Sequence, residues 1–172
     1  MSPLRRHIRQ LVDWRAAIIA GLVAGVVLLA LEMLFTARAV GSPWIFVRMV
    51  AAVALGPKVL APPATFSPGI FAVALLIHLP LSIAFACVIA FVLHRWGLLV
   101  GIVGGALLGL ALYWINFGTV FNLVPWFAPM KGWETMLAHV VFGAVAGGTY
   151  ELLEVERFVV ETDVKKPVEK RF

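Results

Sequence analysis

Residues 16–37 read AAIIAGLVAGVVLLALEMLFTA, an apolar run that contains a single charged residue, Glu32. A helix needs about 20 apolar residues to cross the roughly 30 Å hydrocarbon layer, so this run predicts a membrane span. The Ala37-Arg38-Ala39 triplet matches a signal-peptide cleavage pattern, but the apolar region of a signal peptide is only about 7–15 residues long. We therefore expect the first span to be retained.

Three more apolar runs are long enough to span, at residues 69–93, 97–118 and 132–153. Hydrophobic residues make up 62% of the protein and charged residues 13%, whereas soluble domains average about 45–50% and about 25%. This composition excludes a soluble globule and a disordered chain, and the single cysteine excludes an internal disulfide framework. The sequence predicts an all-α integral membrane protein, a four-helix transmembrane bundle at residues 16–153.

A further apolar stretch at residues 44–55 is too short to span and carries Arg48 near its centre. Pro43 is typical of a helix start and Gly56 of a helix end. We expect an interfacial or re-entrant helix at about residues 43–56, on the outer side of the membrane.

The basic residues predict the orientation of the spans. With four spans, 10 of the 14 lysines and arginines lie on the side of the termini, and the exceptions are Arg38, Arg48, Lys58 and Lys131. A fifth span would leave only 6 on the N-terminal side. Because Lys and Arg accumulate in cytoplasmic loops, we expect a multi-pass protein of the bacterial inner membrane with both termini cytoplasmic. These flanking positions also account for the net charge of +5 without a nucleic-acid partner.

The segments outside the spans are charged or aromatic. Residues 1–15 form a basic N-terminal segment, and residues 154–172 form a tail of mixed charge. We expect the tail to begin as a cytoplasmic helix extension and to end flexibly. On the outer side, residues 117–133 read FGTVFNLVPWFAPMKGW, and such aromatic segments are typical of the headgroup boundary.

Glycines recur every four residues in three of the spans, so that each set shares one helix face. They are Gly21 and Gly25 in the first span, Gly97, Gly101, Gly105 and Gly109 in the third, and Gly143 and Gly147 in the fourth. Such faces allow helix backbones to approach closely in lipid. They are compatible with contacts within one bundle, with a homo-oligomer, or with docking to other membrane subunits.

Six polar residues are predicted to lie in the outer half of the spans, where each is costly unless it is paired or faces a cavity. They are Glu32, His78, Tyr113, Asn116, Glu134 and His139. At about 1.5 Å of rise per residue, Glu32 lies roughly 8 Å below the outer end of its helix, His139 roughly 10 Å and His78 roughly 13 Å. In an up-down bundle the second and fourth spans can face one another, which would bring the two histidines together.

Three roles are compatible with this polar layer. His78 and His139 could ligate a haem or, with Glu32, a metal ion. Histidine and glutamate are also residue types that form proton relays in membrane proteins. The third role is a hydrogen bond from Glu32 to a histidine that sets the helix register. The sequence contains no Ser-His-Asp, H-E-x-x-H or phosphate-loop pattern, so we do not expect an enzyme acting alone.

Short motifs follow one another along the spans: GLVAGVVLLALEMLF, then HLPLSIAFA, GGALLG, a Pro-Trp loop and LAHVVFG. This order resembles the YagU-like bacterial inner-membrane proteins over most of residues 16–153. The resemblance implies an inner-membrane bundle of poorly defined role, with a suggested link to survival in acid. Glu32, His78 and His139 are the positions that match.

We expect a non-catalytic membrane protein, an accessory or assembly subunit of a larger inner-membrane complex, because the glycine faces offer docking surfaces. The alternative is a small bundle that binds haem or a metal ion, or that handles protons or ions, through the outer Glu/His layer.

Overall fold

The computed structural model describes residues 6–119 and 123–162. Its elements in chain order are β1 (Arg6–Leu11), α1 (Trp14–Val40), α2 (Trp44–Leu55), α3 (Pro68–Leu93), α4 (Leu98–Thr119), α5 (Trp133–Leu153) and β2 (Arg157–Thr162), with 3₁₀ turns at Pro57–Leu60 and Pro125–Met130. Helices α1, α3, α4 and α5 are long and apolar enough to cross a membrane. The predicted four-helix bundle with an additional short helix is confirmed, and the spans agree with prediction to within three residues.

The outer surfaces of the four long helices are apolar. Val26, Leu76, Leu99 and Leu107 are each more than half exposed, although large apolar side chains of this kind are usually buried in soluble proteins. Small residues such as alanine and glycine take the buried positions between the helices instead. Such an outer surface suits contact with a lipid bilayer rather than with water.

Helix α2 packs against the bundle at the end opposite the chain termini. Phe46 and Val50 of α2 belong to a buried apolar cluster with Leu29 of α1 and Ala74 of α3. The helix ends at Gly56, whose φ of 81° lies in the left-handed region that favours glycine. The short helix is therefore part of the folded bundle.

Two side chains form hydrogen bonds that connect α2 with the neighbouring loops. Arg48 donates hydrogen bonds to the carbonyls of Val59 (2.8 Å) and Thr65 (3.2 Å). Trp126, in the second 3₁₀ turn, donates from its indole nitrogen to the carbonyl of Met49 (3.0 Å). The charge at the centre of the short helix is thus directed to loop carbonyls and not to the apolar core.

Helices α4 and α5 pack backbone to backbone along their glycines. A Cβ at Gly105 would collide with the carbonyl of Gly143, and a Cβ at Gly147 would collide with the carbonyl of Gly101. A Cβ at Gly109 would likewise meet the backbone of α5. Because only a hydrogen atom fits at these positions, the predicted close approach takes place within one chain.

The glycines of α1 serve the contact with α3 in the same way. A Cβ at Gly21 would lie 2.5 Å from the Cα of Ile83, and one at Gly25 would lie 2.8 Å from the Oγ of Ser82. Of the three alternatives that the glycine spacing left open, the structure shows contacts within one bundle.

Gly97 does not belong to the glycine face of the third span, contrary to the prediction. It precedes α4, in the turn after α3, and its φ is 78°. A Cβ at this position would meet no atom within 4 Å. The residue therefore supplies a left-handed backbone conformation to the turn and no close helix contact.

The charged tail does not extend α5, contrary to the expectation of a helix. Helix α5 ends at Leu153, and Arg157–Thr162 pairs with β1 as an antiparallel strand in which Leu11 lies opposite Arg157. The sequence RFVVET favours a strand because β-branched and aromatic residues suit extended backbone, and β1 supplies the hydrogen-bonding partner. Residues 163–172, for which a flexible end was predicted, lie outside the described residues.

Asp13 joins the start of α1 to the end of α5. Its Oδ1 accepts hydrogen bonds from the backbone N–H groups of Arg15 (3.0 Å) and Ala16 (3.2 Å), which caps α1. Its Oδ2 accepts one from the N–H of Val155 (3.2 Å), and its own N–H donates to the hydroxyl of Tyr150 (3.2 Å). Together with the β1–β2 pairing, this holds residues 6–13 and 154–162 at the same end of the bundle.

Substituting Asp13 by alanine is expected to destabilise the fold in a pH-dependent way. Burial raises the pKa of Asp13, but three backbone N–H groups and the charge of Arg157 outweigh it and hold the pKa below its ordinary value. Because the pKa of Asp13 is lower in the folded state than its unfolded value of about 3.9, the ionised carboxylate stabilises the fold at any pH above this value. This stabilisation is lost as the pH falls through the pKa of the folded state. We expect Asp13→Ala to lower the free energy of unfolding by about 1 kcal/mol at neutral pH.

Unfolding of both proteins in mild detergent, at neutral pH and at an acidic pH below the folded-state pKa of Asp13, measures this effect. The difference between wild type and variant should shrink at the lower pH, where the carboxyl group is protonated in both the folded and the unfolded state. An equal difference at the two pH values would contradict the electrostatic part of the prediction.

Candidate functional site

Glu32 lies inside the bundle on α1 and is 1% exposed. Its Oε2 accepts a hydrogen bond from the hydroxyl of Thr135 on α5 (3.2 Å). Its Oε1 is buried and has no hydrogen-bond partner among the described residues. One turn along α1, the Thr36 hydroxyl donates to the backbone carbonyl of Glu32 (2.6 Å). Since a buried polar atom without a partner is costly, the fold leaves this carboxyl group incompletely satisfied.

Thr135 bridges Glu32 and His139. Thr135 and His139 are one turn apart on α5 and share a helix face. The carbonyl of Thr135 accepts a hydrogen bond from Nδ1 of His139 (2.8 Å), while its hydroxyl donates to Glu32. The His139 Nδ1 is 3.9 Å from Glu32 Oε1, which exceeds hydrogen-bond distance. The predicted direct hydrogen bond between Glu32 and a histidine is therefore replaced by a bridge through Thr135.

Asn116 extends the arrangement to α4. Its Nδ2 lies 3.3 Å from Nε2 of His139, and since Nδ1 donates to a carbonyl, the neutral imidazole accepts at Nε2. The ring of Tyr113 stacks on Phe117 and meets the imidazole edge-on, with 5.7 Å between the Tyr113 and His139 ring centroids. We use the name polar network for the hydrogen-bonded set Glu32, Thr135, His139 and Asn116.

His78 is bound to a different part of the bundle. Its Nε2 lies 2.9 Å from the carbonyl oxygen of Gly25 on α1, and the Ser82 hydroxyl donates to its backbone carbonyl (2.8 Å). The absence of a side chain at Gly25 lets α3 come close enough for this bond. The Phe46 ring stands edge-on to the imidazole, with centroids 6.4 Å apart. His78 therefore ties α3 to α1.

The six residues of the predicted layer are thus not one cluster. Thr135 links Glu32 to His139, and His139 is hydrogen-bonded directly to Asn116. Tyr113 packs against this network. Within residues 6–119 and 123–162, the two other predicted residues form no hydrogen bond with it. They are His78 and Glu134, the latter half-buried in the first turn of α5.

Sequence reasoning missed two threonines of the site. Thr135 precedes His139 by four residues, and Thr36 follows Glu32 by four residues. A hydroxyl one helical turn from an ionisable residue in an apolar span lies on the same face. The four-residue spacing could therefore have identified both threonines from the sequence.

The donor atoms of the site are not arranged as a metal-binding cluster. In the described part of the chain, no group of three His, Cys, Asp or Glu side chains could hold one. Both ring nitrogens of His139 and the Nε2 of His78 are in hydrogen bonds with protein atoms. Coordination of a metal or a haem iron through those nitrogens would have to replace these bonds.

A cavity of about 530 Å³ lies at the end of the bundle opposite the termini. Thr36, Arg48 and Met130 contribute to its lining. The Thr36 hydroxyl, which binds the Glu32 carbonyl, is 4.0 Å from the sulfur of Met130. The cavity therefore reaches the turn of α1 that adjoins Glu32.

No protein-family model, curated protein or solved structure matches this chain. The resemblance to the YagU-like proteins stays a prediction. The chemistry of the polar network follows from the residues themselves.

Proposed function

We propose that this protein handles protons in a membrane and that Glu32 is the group that takes up and releases the proton. The observation that carries the proposal is the Oε1 atom of Glu32, which is buried without a hydrogen-bond partner among the described residues. Ionisable residues inside membrane spans are rare and are generally functional. A purely structural glutamate at this depth would be expected to have both oxygens satisfied.

The neighbouring imidazole can pass a proton to Glu32. Because Nδ1 of His139 already carries the hydrogen that it donates to the Thr135 carbonyl, a proton is taken up at Nε2 and the Nδ1 hydrogen moves to the Glu32 carboxylate. Glu32 Oε1 and His139 Nδ1 are 3.9 Å apart. A neutral carboxyl group beside a neutral imidazole has the same net charge as a carboxylate beside an imidazolium. Moving the proton between them therefore adds no net charge to the apolar interior, where an unpaired charge is very costly.

The surroundings of the pair favour proton exchange over metal binding. The Thr135 hydroxyl contacts the carboxyl group, and the Thr135 carbonyl contacts the imidazole, so small side-chain movements suffice to bring the two groups together. The cavity at one end of the bundle is lined by Thr36, one helical turn from Glu32. Haem or metal binding would instead require the existing hydrogen bonds of both histidines to be replaced.

We place the protein in the bacterial inner membrane with both termini in the cytoplasm. Its basic residues are concentrated at the end that carries the termini, as expected for cytoplasmic segments. Glu32 lies in the second half of α1, away from that end, so the polar network would sit toward the outside. A proton-binding site there is consistent with the acid link implied by the YagU-like resemblance.

The accessory or assembly role predicted from the glycines has less support. The α1–α3 and α4–α5 contacts cover those faces within the chain. Binding to other subunits or to a second copy would have to use different surfaces. That role stays a prediction.

Substituting Glu32 by glutamine tests the proton function. Glutamine keeps the size of the side chain and an oxygen that accepts from Thr135, but it does not titrate. In liposomes loaded with a pH-sensitive dye, we expect the wild type to dissipate an imposed pH gradient. Glu32→Gln should slow this dissipation by about a hundredfold, a typical contribution of a proton-transfer group.

Glu156→Gln is the control, because it removes an exposed carboxylate at the opposite end of the bundle, which carries the termini, and it should leave the flux unchanged. Infrared difference spectra recorded on a pH change measure protonation of the carboxyl group directly. They therefore test the proposal even for a proton flux that requires a coupled solute absent from the liposomes. A carboxyl band that disappears only in Glu32→Gln supports the proposal. Spectra that Glu32→Gln leaves unaltered would contradict it.

A further inference from the structure

A groove of about 800 Å³ opens at the end of the bundle that carries both termini. It lies between the first turn of α1, the last turn of α3, the end of β1 and the start of β2. Three exposed arginines contribute to its lining, and each comes from a different segment. They are Arg15, Arg95 and Arg157. The fold therefore brings three positive charges together that are far apart in the sequence.

Neighbouring carboxylates offset part of this charge. Asp13 interacts with the charge of Arg157, and Arg95 also lines an adjoining pocket that contains Glu151, Glu154 and Glu156. Among the described residues, only Glu32 and His139 lie within ion-pair distance of each other, so none of the three guanidinium groups is that close to a described carboxylate. The acidic residue in the lining of the groove is Asp13. Both of its oxygens accept hydrogen bonds from backbone N–H groups. The lining of the groove therefore carries three guanidinium groups against one carboxylate, and a net positive charge of this kind suits an anion.

The remaining walls of the groove are apolar and aromatic. Trp14 and Trp96 are 53% and 64% exposed, and Phe91 and Val92 are 60% and 48% exposed. Trp14 begins the first long apolar helix, and Trp96 follows the end of the second. Exposed tryptophans at span ends are typical of the membrane–water interface. The groove thus lies at the depth where lipid headgroups meet acyl chains.

We propose that this groove binds an anionic phospholipid from the leaflet on the side of the termini. The phosphate would lie against the guanidinium groups, which form bidentate hydrogen bonds with phosphate oxygens. The start of an acyl chain would cover Phe91 and Val92. Basic pockets between spans are suited to acidic headgroups, and a free phosphate ion would leave the apolar wall unused. The site is at the other end of the bundle from the polar network and does not depend on its function.

Native mass spectrometry of the full chain in mild detergent tests this site. The protein is mixed with equal amounts of phosphatidylglycerol and phosphatidylcholine, and the bound lipids are compared. We expect the wild type to retain phosphatidylglycerol at least about tenfold over phosphatidylcholine. Neutralising Arg15, Arg95 and Arg157 together to glutamine should bring this ratio close to one.

A matched control removes the same charge from the opposite end of the bundle. It carries Arg38→Gln, Lys58→Gln and Lys131→Gln, all at exposed positions, and it should keep the wild-type preference. An equal loss in both triple variants, or a wild type that does not prefer phosphatidylglycerol, would overturn the proposal. Displacement of the lipid by inorganic phosphate as readily as by short-chain phosphatidylglycerol would also overturn it, because the groove would then be a simple anion site.

Discussion

Substituting Gly143 by leucine is expected to destabilise the folded bundle strongly. A Cβ at this position collides with the carbonyl of Gly105 and lies 2.8 Å from the backbone nitrogen of Gly109. Because the colliding atoms are backbone atoms, no side-chain rotation relieves the clash and the two helices must separate. Overpacking a core costs about 1–3 kcal/mol and occasionally more, and we expect the upper end of that range or more here. Total stabilities are only about 5–15 kcal/mol.

The yield of monodisperse protein in mild detergent and its helix content by circular dichroism measure this effect. Gly118→Leu is the matched control on α4, because a Cβ at Gly118 meets no atom within 4 Å. It should behave like the wild type. A Gly143→Leu protein that stayed a folded monomer and lost only an oligomer would show that the glycine face joins different copies, which would contradict the packing within one chain.

Substituting His139 by asparagine is expected to abolish proton exchange while the fold remains. Asparagine keeps an N–H group near the position of Nδ1, which can donate to the Thr135 carbonyl, but it does not take up a proton in the range where imidazole titrates. Loss of a proton-transfer group lowers rates by about 10²–10⁴-fold, so we expect the liposome flux to fall at least a hundredfold. Asn116 loses its hydrogen-bond partner, at a stability cost of about 1 kcal/mol.

His78→Gln is the comparison that separates the two histidines. Glutamine keeps a terminal N–H group within reach of the Gly25 carbonyl, so stability should stay within about 1 kcal/mol of the wild type and the flux should be unchanged. Loss of flux in His78→Gln with an intact fold would place the proton site at the α1–α3 contact. Unchanged flux in the His139 variant would remove the imidazole from the mechanism.

The polar network and the basic groove can be tested independently, because they lie toward opposite ends of the bundle. Variants of Glu32 and His139 should leave the lipid preference unchanged. Neutralising the arginines of the groove should leave the carboxyl band of Glu32 unchanged. A variant that altered both measurements would indicate damage to the whole fold.

Properties of single segments were predictable from the sequence. The four spans and the short helix agree with prediction to within three residues, because the length and apolarity needed to cross a membrane belong to each segment alone. Similar depths were predicted for Glu32 and His139, since depth follows from the rise per residue along a helix. Asn116 was placed near the same depth, and it is hydrogen-bonded directly to His139, which Thr135 links to Glu32.

The neighbours of each residue were decided by tertiary structure. The depth of a residue along a helix does not determine the direction in which its side chain points around the helix axis. His78 and Glu134 were therefore predicted to lie in the same layer as Glu32. Packing instead turned His78 toward the Gly25 carbonyl and put Thr135 beside the carboxyl group. Sequence spacing shows which residues share a face, but it does not show which helix that face will meet.

The same reason explains the glycines and the tail. The four-residue spacing predicted close backbone contact, yet only the fold showed that α4 meets α5, that α1 meets α3, and that Gly97 belongs to a turn. Residues 157–162 form a strand because residues 6–11, at the other end of the chain, supply the hydrogen-bonding partner. The sequence by itself determined which segments are suited to cross a membrane, since apolarity is local. The tertiary structure decided which side chains meet, because those contacts depend on helix rotation and on partners distant in the chain.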